Sequence, residues 1–362
     1  MRLYYVLAAA MLAAGQVHAA PSAPLVNEAP LRAHLDFLAD DLLEGRGTGQ
    51  RGGSLTVRYL ETQAAAIGLK PVAGTSYRQK VQIVGSTTRP STSIKFDAGG
   101  KTIAPRLGSE IYVANANGTA ETRFDAPLLF VGYGIDAEDE NWNDYENVDV
   151  RGKVVVAMVN DPKPTAAEPD RFGGKSLTWY GRWTYKYEEA VRKGAAGILL
   201  IHTTESASYP WSVASNGYGK EQFHLSGKGN AMQGWLHEDL ARALFAAGGK
   251  NLDALRAQAE VRGFKPVDLG VRVRVALDAT HRAVEEFNVA GIVPGTDPKL
   301  RDQAVIYSAH WDHLGMGAAN GRPDHIWNGA IDNASGTAAL LAMAQAAVRH
   351  PARRTQIFLW PC

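Results

Sequence analysis

The chain has 362 residues, of which 45% are hydrophobic, and its formal net charge is +1 at pH 7. This composition is typical of a globular protein, and the length suffices for two domains of about 150 residues each. Because the charges nearly balance, no overall field favours nucleic acid or an anionic membrane, and we expect neither as a partner.

Residues 1–19 have the pattern of a secretory signal peptide. Arg2 precedes an apolar run over 3–14, and the small residues around Ala19 suit a cleavage site. The run is shorter than the roughly 20 residues that a membrane-spanning helix needs. We therefore expect export to the periplasm or the extracellular space, with no membrane span; the alternative is a buried N-terminal helix. The single cysteine, Cys362, cannot form an internal disulfide.

Two amphipathic helices joined by a glycine-rich loop are predicted next. The first carries leucines at spacings of four and three: Leu31, Leu35, Leu38 and Leu42. The second has its buried face at Val57, Leu60, Ala64 and Ile67, and it ends at Gly68. The loop between them, GRGTGQRGG (45–53), has Gln50 in place of a third glycine and follows a helix rather than a strand. We interpret it as a connector and not as a phosphate-binding loop.

The middle of the chain predicts a separate α/β unit. Apolar strands over 126–136 and 152–161 precede a helix, YEEAVRKGAAG, and a further strand, ILLIH. Aromatic residues over 177–190 are interpreted as packing within this unit, the alternative being a lid over substrate. Alternating valines over 271–277 indicate a half-buried strand. Strands over 304–309 and 355–360, with a helix over 335–348 between them, close the pattern.

The residues that indicate chemistry follow the strand over 304–309. His310 lies where this strand ends, at the carboxyl edge where open α/β sheets place their ligand sites. Asp312, two residues on, is suited to accept a hydrogen bond from one ring nitrogen of a metal-binding histidine. Asp332 lies in a polar turn before a helix, and its two oxygens suit a bridge between metals about 3.5–4 Å apart. The alternative for Asp332 is that of a helix N-cap.

The order of these motifs resembles peptidase family M28, the co-catalytic zinc aminopeptidases. HWDHLG followed by NGAIDNASGTAALL carries the resemblance at the site, and HLDFLADDLLEGRGTGQRGG is similar to the N-terminal segment of bacterial members. GYGID through GILLIHTTESASYPW resembles the protease-associated domain inserted in them. The resemblance implies an α/β fold, with a mixed sheet flanked by helices and an inserted protease-associated α/β domain. After the signal peptide at 1–19, the resemblance implies three divisions: 20–124 as the N-terminal part of the peptidase domain, 125–265 as the inserted domain, and 266–362 as the peptidase domain resumed and incomplete at the C-terminus.

The resemblance also implies roles. His310 is a zinc ligand, Asp312 orients it, and Asp332 bridges two Zn²⁺ ions that activate water to release N-terminal residues from peptides with a free amino terminus. In the family, the strand that TQIFLWPC resembles leads to a Glu-Glu pair supplying the general base and a further ligand. No such pair follows Thr355 within the sequence. We therefore expect the chain as given to be truncated and inactive.

Other residues near the motif are weaker candidates. His313, His325 and Asp324 are close in sequence, but isolated histidines are more often packed or solvated than metal-bound. Glu285 and Glu286 precede the motif and are interpreted as solvated charges. Two alternatives to an incomplete aminopeptidase stay open: a non-catalytic peptide- or protein-binding protein, and a different metal-dependent reaction on the same scaffold. The sequence does not indicate an oligomeric state.

Overall fold

The computed structural model describes residues 26–72, 74–227, 229–317 and 323–362, and the chain divides into two compact units. We call residues 26–80 with 287–362 the terminal unit, and residues 81–286 the central unit. The predicted signal peptide lies outside the described residues. Among the described helices, none combines the length and the apolar character that crossing a membrane requires.

The terminal unit contains the predicted N-terminal helices and the strands around the candidate site. Its helical segments are Glu28–Leu38, a 3₁₀ turn Asp41–Arg46, Arg51–Ile67, a π-type turn Ala330–Ala334 and Ser335–Arg349. Its strands are Lys70–Pro71, Ala304–Ser308, Gly315–Met316, Ile326–Trp327 and Thr355–Trp360. Two long strands, Arg78–Thr88 and Val267–Val293, contain the unit boundaries.

The terminal unit is built on a mixed sheet. Strand Thr355–Trp360 pairs antiparallel with 289–293 on one side and parallel with Ala304–Ser308 on the other. Helices Arg51–Ile67 and Ser335–Arg349 pack apolar side chains against this sheet. The resulting core includes Val57, Leu60, Leu341, Phe358 and Trp360. The parallel pair places the carboxyl end of strand Ala304–Ser308 beside this core, directly before His310.

The first helix is shorter than its leucine pattern predicts. It ends at Leu38, and Leu42 is 76% exposed in the 3₁₀ turn that follows. The Asp40 carboxylate accepts a hydrogen bond from the Leu42 amide at 2.8 Å, which starts a new turn in place of continued helix. The second helix is confirmed, with Gly68 as its left-handed C-cap at φ 91°.

The central unit has its own strands and helices. Its strands are Ser93–Ala98, Lys101–Ile103, Ile111–Ala114, Glu121–Phe130, Asp136–Ala137, Trp142–Asn143, Val154–Met158, Gly197–His202, Gln222–Leu225 and Gln233–His237. Its helical segments are Arg171–Gly173 (3₁₀), Trp183–Lys193, Thr204–Ala207, Trp211–Ala214, Glu238–Ala247 and Leu252–Ala259.

The predicted strand–helix–strand pattern of the central unit is confirmed. Strand Val154–Met158 pairs parallel with both Glu121–Phe130 and Gly197–His202, and Trp183–Lys193 is the crossover helix. Strands Val154–Met158 and Gly197–His202 are fully buried because apolar clusters cover both faces of the sheet. The mixed α/β fold class is therefore confirmed. The predicted inserted domain, 125–265, lies within the central unit, and its protease-associated identity stays a prediction.

Glu286 is buried, contrary to the expectation from the sequence. The interpretation of Glu285 and Glu286 as solvated charges is wrong for Glu286, which is only 3% exposed. Both residues lie in the strand Val267–Val293, where successive side chains point to opposite faces. Glu286 therefore shares the buried face of Val284, whereas Glu285 is exposed.

Candidate metal centre

His310 lies two residues beyond the strand Ala304–Ser308. The Thr337 hydroxyl donates to the carbonyl oxygen of His310 at 3.0 Å, which ties the loop to helix Ser335–Arg349. The next side chain, Trp311, is fully buried in the core of the terminal unit, and this packing fixes the position of the loop. The imidazole of His310 remains 42% exposed. The local fold thus presents a histidine at the carboxyl edge of the sheet, as predicted.

Asp332 lies in the π-type turn that precedes helix Ser335–Arg349. Its side chain is 69% exposed, and its peptide bond to Asn333 is cis. The Asn333 side-chain oxygen accepts a hydrogen bond from the Gly336 amide at 3.1 Å, so Asn333 satisfies the helix end. The alternative of Asp332 as an N-cap is therefore wrong, and its carboxylate faces His310.

His310 lies between the other two predicted site residues, Asp312 and Asp332. His310 Nδ1 is 3.1 Å from Asp312 Oδ1, and His310 Nε2 is 3.0 Å from Asp332 Oδ1. The hydrogen bond with Asp312, together with the charges of both aspartates, raises the pKa of His310 although partial burial opposes the rise. Asp312 therefore occupies one ring nitrogen, and the other points at a second carboxylate.

His313 is a further histidine beside Asp332. Its Nδ1 is 3.7 Å from Asp332 Oδ2, and its side chain is 15% exposed. Burial lowers the pKa of His313, which favours the neutral imidazole. His313 therefore lies nearer the site than its weak sequence signal indicates.

The other weak candidates are placed in the hairpin of strands Gly315–Met316 and Ile326–Trp327. The Asp324 carboxylate accepts a hydrogen bond from the Ile326 amide at 3.0 Å, and the His325 carbonyl accepts one from Gly317 at 2.8 Å. These bonds fix the hairpin backbone. Neither side chain has a described contact with His310 or Asp332.

The residues fit part of a zinc site. Imidazole nitrogen and carboxylate oxygen are ordinary zinc ligands, and an Asp–His pair of this kind fixes the ligating tautomer. His310 Nε2 and Asp332 are close enough to share one ion. Within the described residues, however, no group of three or more His, Cys, Asp or Glu side chains is arranged to hold a metal. An open catalytic zinc site takes about three protein ligands, so these residues supply two of them.

The glycine-rich loop also contributes to the site, through two residues that its sequence pattern does not indicate. Thr48 donates a hydrogen bond to Asp312 Oδ2 at 3.0 Å, and Arg46 contacts backbone carbonyls on both sides of the site. The loop therefore connects two helical segments, as interpreted from the sequence, and also contacts the candidate site. No local pattern reveals these contacts, because Arg46 and Trp311 are 265 positions apart in the chain.

Comparison with known proteins gives one family match. Residues 288–362 match the family described as Peptidase family M28. A comparison with curated protein sequences finds no match.

Solved structures of aminopeptidases are also similar to the chain. The aminopeptidase from an Aneurinibacillus species has 17% identity and a TM-score of 0.46, over 92% of this chain and 62% of that one. A Peptidase M28 precursor from Shewanella amazonensis has 16% identity and a TM-score of 0.41, over 92% and 65%. A zinc aminopeptidase from Bacillus subtilis has 14% identity and a TM-score of 0.35, over 92% and 60%. The matched region thus spans less than two thirds of each of those chains.

Proposed function

We propose that the protein is an exported metallo-aminopeptidase, on the basis of the match of residues 288–362 to peptidase family M28. Its substrates are peptides with a free amino terminus, and its product is the released N-terminal residue. Export is proposed from the signal-peptide pattern of residues 1–19.

One observation carries the proposal: His310 lies between two carboxylates, with Nδ1 at Asp312 and Nε2 at Asp332. In the proposed site, Asp312 keeps the proton on Nδ1, so the Nε2 lone pair is available to a metal. Asp332 offers its two oxygens as a bridge. When bound, a pair of zinc ions supplies a water with its pKa lowered to about 7 and polarises the scissile carbonyl.

We further propose that residues 1–362 by themselves bind zinc weakly and do not turn over peptide. The glutamate pair implied after strand Thr355–Trp360 is not among them, so neither the general base nor its neighbouring ligand is supplied. General acid–base catalysis typically contributes about 10²–10⁴-fold to a rate. A site with fewer ligands also binds zinc with lower affinity.

The test is a zinc titration of the 362-residue protein in competition with a chromophoric chelator. We expect weak binding that is lost in His310→Ala and in Asp332→Ala but kept in His350→Ala, an exposed histidine at the end of helix Ser335–Arg349. Binding that is indifferent to His310 and Asp332 contradicts the assignment of the site.

Activity is measured in parallel with an aminoacyl arylamide and with an N-terminally blocked peptide. No cleavage of either is expected from these 362 residues. Two zinc ions per chain together with robust release of the arylamine contradict the proposed inactivity, while cleavage of the blocked peptide contradicts an aminopeptidase.

A further inference from the structure

The guanidinium of Arg46 joins the two loops that carry His310 and Asp332. Its Nε donates to the Trp311 carbonyl at 2.8 Å, in the loop of His310. Its two terminal nitrogens donate to the carbonyls of Asn328 at 2.6 Å and Gly329 at 2.9 Å, just before the turn of Asp332. A third backbone segment is also held, because Arg46 donates to the carbonyl of Leu38. One side chain thus sets the spacing of both ligand-bearing loops.

This arginine is fully buried, with 0% of its surface exposed. Burial lowers the pKa of Arg46 to about 10, although the charges of Asp312 and Asp332 oppose the shift. The group therefore remains a cation at neutral pH. A buried cation is costly unless its donors are satisfied, and the planar fork of arginine satisfies several carbonyls at once, which a lysine ammonium cannot match in geometry.

Thr48, two residues on, acts on the other side of the site. It is 8% exposed, and its hydroxyl donates to Asp312 Oδ2 at 3.0 Å while Asp312 Oδ1 faces His310 Nδ1 at 3.1 Å. Both oxygens of Asp312 are therefore engaged. A continuous series of contacts runs from Thr48 through Asp312 and His310 to Asp332.

The backbone of the loop is fitted to the same neighbours. The Arg46 carbonyl accepts a hydrogen bond from the His313 amide at 3.2 Å. Gly45 has φ 67°, and a Cβ there would lie 2.5 Å from the Trp327 carbonyl oxygen and 2.7 Å from that of Gly315. Only glycine permits this close approach. The backbone of the loop therefore packs closely against the segments around the site. A loop that only connects two helices does not need such close packing.

From these contacts we infer that Arg46 and Thr48 are positioning residues for the metal centre: Arg46 fixes the separation of the two ligand loops, and Thr48 fixes the carboxylate that orients His310. This inference rests on the proposed function, because it assigns to the loop the task of holding His310 and Asp332 in metal-binding geometry. Arg46 and Thr48 act through the ligand loops and through Asp312, and not by contact with the substrate or the metal.

The test compares Co²⁺ affinity, followed by the visible absorption of the bound ion, in the 362-residue protein and its variants. Thr48→Val removes the hydroxyl and keeps the shape, and Thr48→Ser restores the donor. The matched control is Thr56→Val, a fully buried threonine whose hydroxyl bonds only the Gly52 carbonyl in its own helix among the described contacts. We expect about a 10–100-fold loss of affinity in Thr48→Val, recovery in Thr48→Ser and no change in Thr56→Val.

Arg46→Lys keeps the positive charge but removes the planar guanidinium group that donates to several carbonyls at once. We expect it to weaken Co²⁺ binding at least as much as Thr48→Val and to change the absorption spectrum, since the ligand loops are no longer held at one separation. Thermal unfolding identifies a variant that does not fold, and in that event Thr48→Val alone decides.

The outcomes separate the two proposals. If Co²⁺ binds the parent protein through His310 but Thr48→Val and Arg46→Lys bind it as tightly as Thr56→Val does, the positioning inference is overturned and the proposed function stands. If the parent protein binds no Co²⁺ that depends on His310, the proposed function is overturned, and this inference with it.

Discussion

His310 is the residue on which the candidate site depends, because its two ring nitrogens face different carboxylates. Nδ1 meets Asp312 in a half-buried setting, whereas Nε2 meets the exposed Asp332. The two aspartates are the same residue type, but Asp312 is partly buried and Asp332 is exposed. The more enclosed one is suited to hold a proton in place, and the more exposed one is suited to bind an ion.

Asp312→Asn tests the orienting role at this scale. The amide keeps the shape of the carboxylate but removes its charge, so it holds the Nδ1 proton less strongly. We expect about a 10–100-fold loss of Co²⁺ affinity with little change in the free energy of unfolding. The matched control is Asp324→Asn, in the adjoining hairpin. Equal Co²⁺ affinity in the two variants would show that Asp312 does not orient the ligand.

At the scale of elements, strand Ala304–Ser308, helix Ser335–Arg349 and the buried residues between them position the site. Leu341 on that helix is fully buried in the core of the terminal unit, whereas Leu42 is 76% exposed. Leu341→Ala is expected to lower the free energy of unfolding by about 2–5 kcal/mol, through lost burial and the cavity left behind. Leu42→Ala, the same chemical change on the surface, is expected to cost under about 0.5 kcal/mol. Urea denaturation measures both, and similar costs would contradict the packing described.

The end of helix Arg51–Ile67 gives a second prediction for an element. Gly68 has φ 91°, and a Cβ there would meet only Val348 Cγ1, at 3.9 Å. The cost of Gly68→Ala therefore comes from the backbone conformation and not from a clash, and we expect a loss of about 1 kcal/mol. Asn tolerates the left-handed region better, so Gly68→Asn is expected to cost less. Melting temperatures that rank the two variants in the opposite order would contradict this explanation.

Periodicity and turn residues predicted the helices of the terminal unit and the parallel strands of the central unit, because those signals are local. The leucine repeat failed at Leu42, where the Asp40 side chain competes for the backbone amide. Glu286 was misjudged because its burial follows from strand alternation and from neighbours that sequence alone does not reveal. His310, Asp312 and Asp332 could be identified from the sequence because the motifs that contain them are short and close together in the chain. Arg46 and Thr48 could not be identified, since their partners in the loop of His310 and Asp312 lie more than 260 positions away.

At the scale of the whole molecule, we expect a buried histidine of the central unit to make the free energy of unfolding depend on pH. His202 is 2% exposed, and burial lowers its pKa although the hydrogen bond between Nε2 and the Tyr209 carbonyl, 3.0 Å long, opposes this. The unfolded chain, with an ordinary histidine pKa near 6.5, therefore binds a proton more readily than the folded one. His202 thus contributes stability at neutral pH that is lost as the pH falls through 6.5 towards the folded pKa.

The prediction is that His202→Phe flattens this dependence, because the ring remains and the titration does not. The free energy of unfolding of the parent protein is expected to fall more steeply than that of the variant between about pH 7.5 and about pH 5.5. His350→Asn, at an exposed histidine, is expected to keep the parent slope. Parallel profiles for the parent protein and His202→Phe would contradict the assignment.

Anomalous diffraction at the zinc absorption edge, measured from zinc-soaked crystals, tests whether His310 and Asp332 together hold a metal. We expect a peak about 2.0–2.2 Å from both His310 Nε2 and an Asp332 oxygen, with Asp312 still hydrogen-bonded to Nδ1. A peak bound elsewhere on the protein, or none at this pair with His310 still hydrogen-bonded to Asp332, would contradict it.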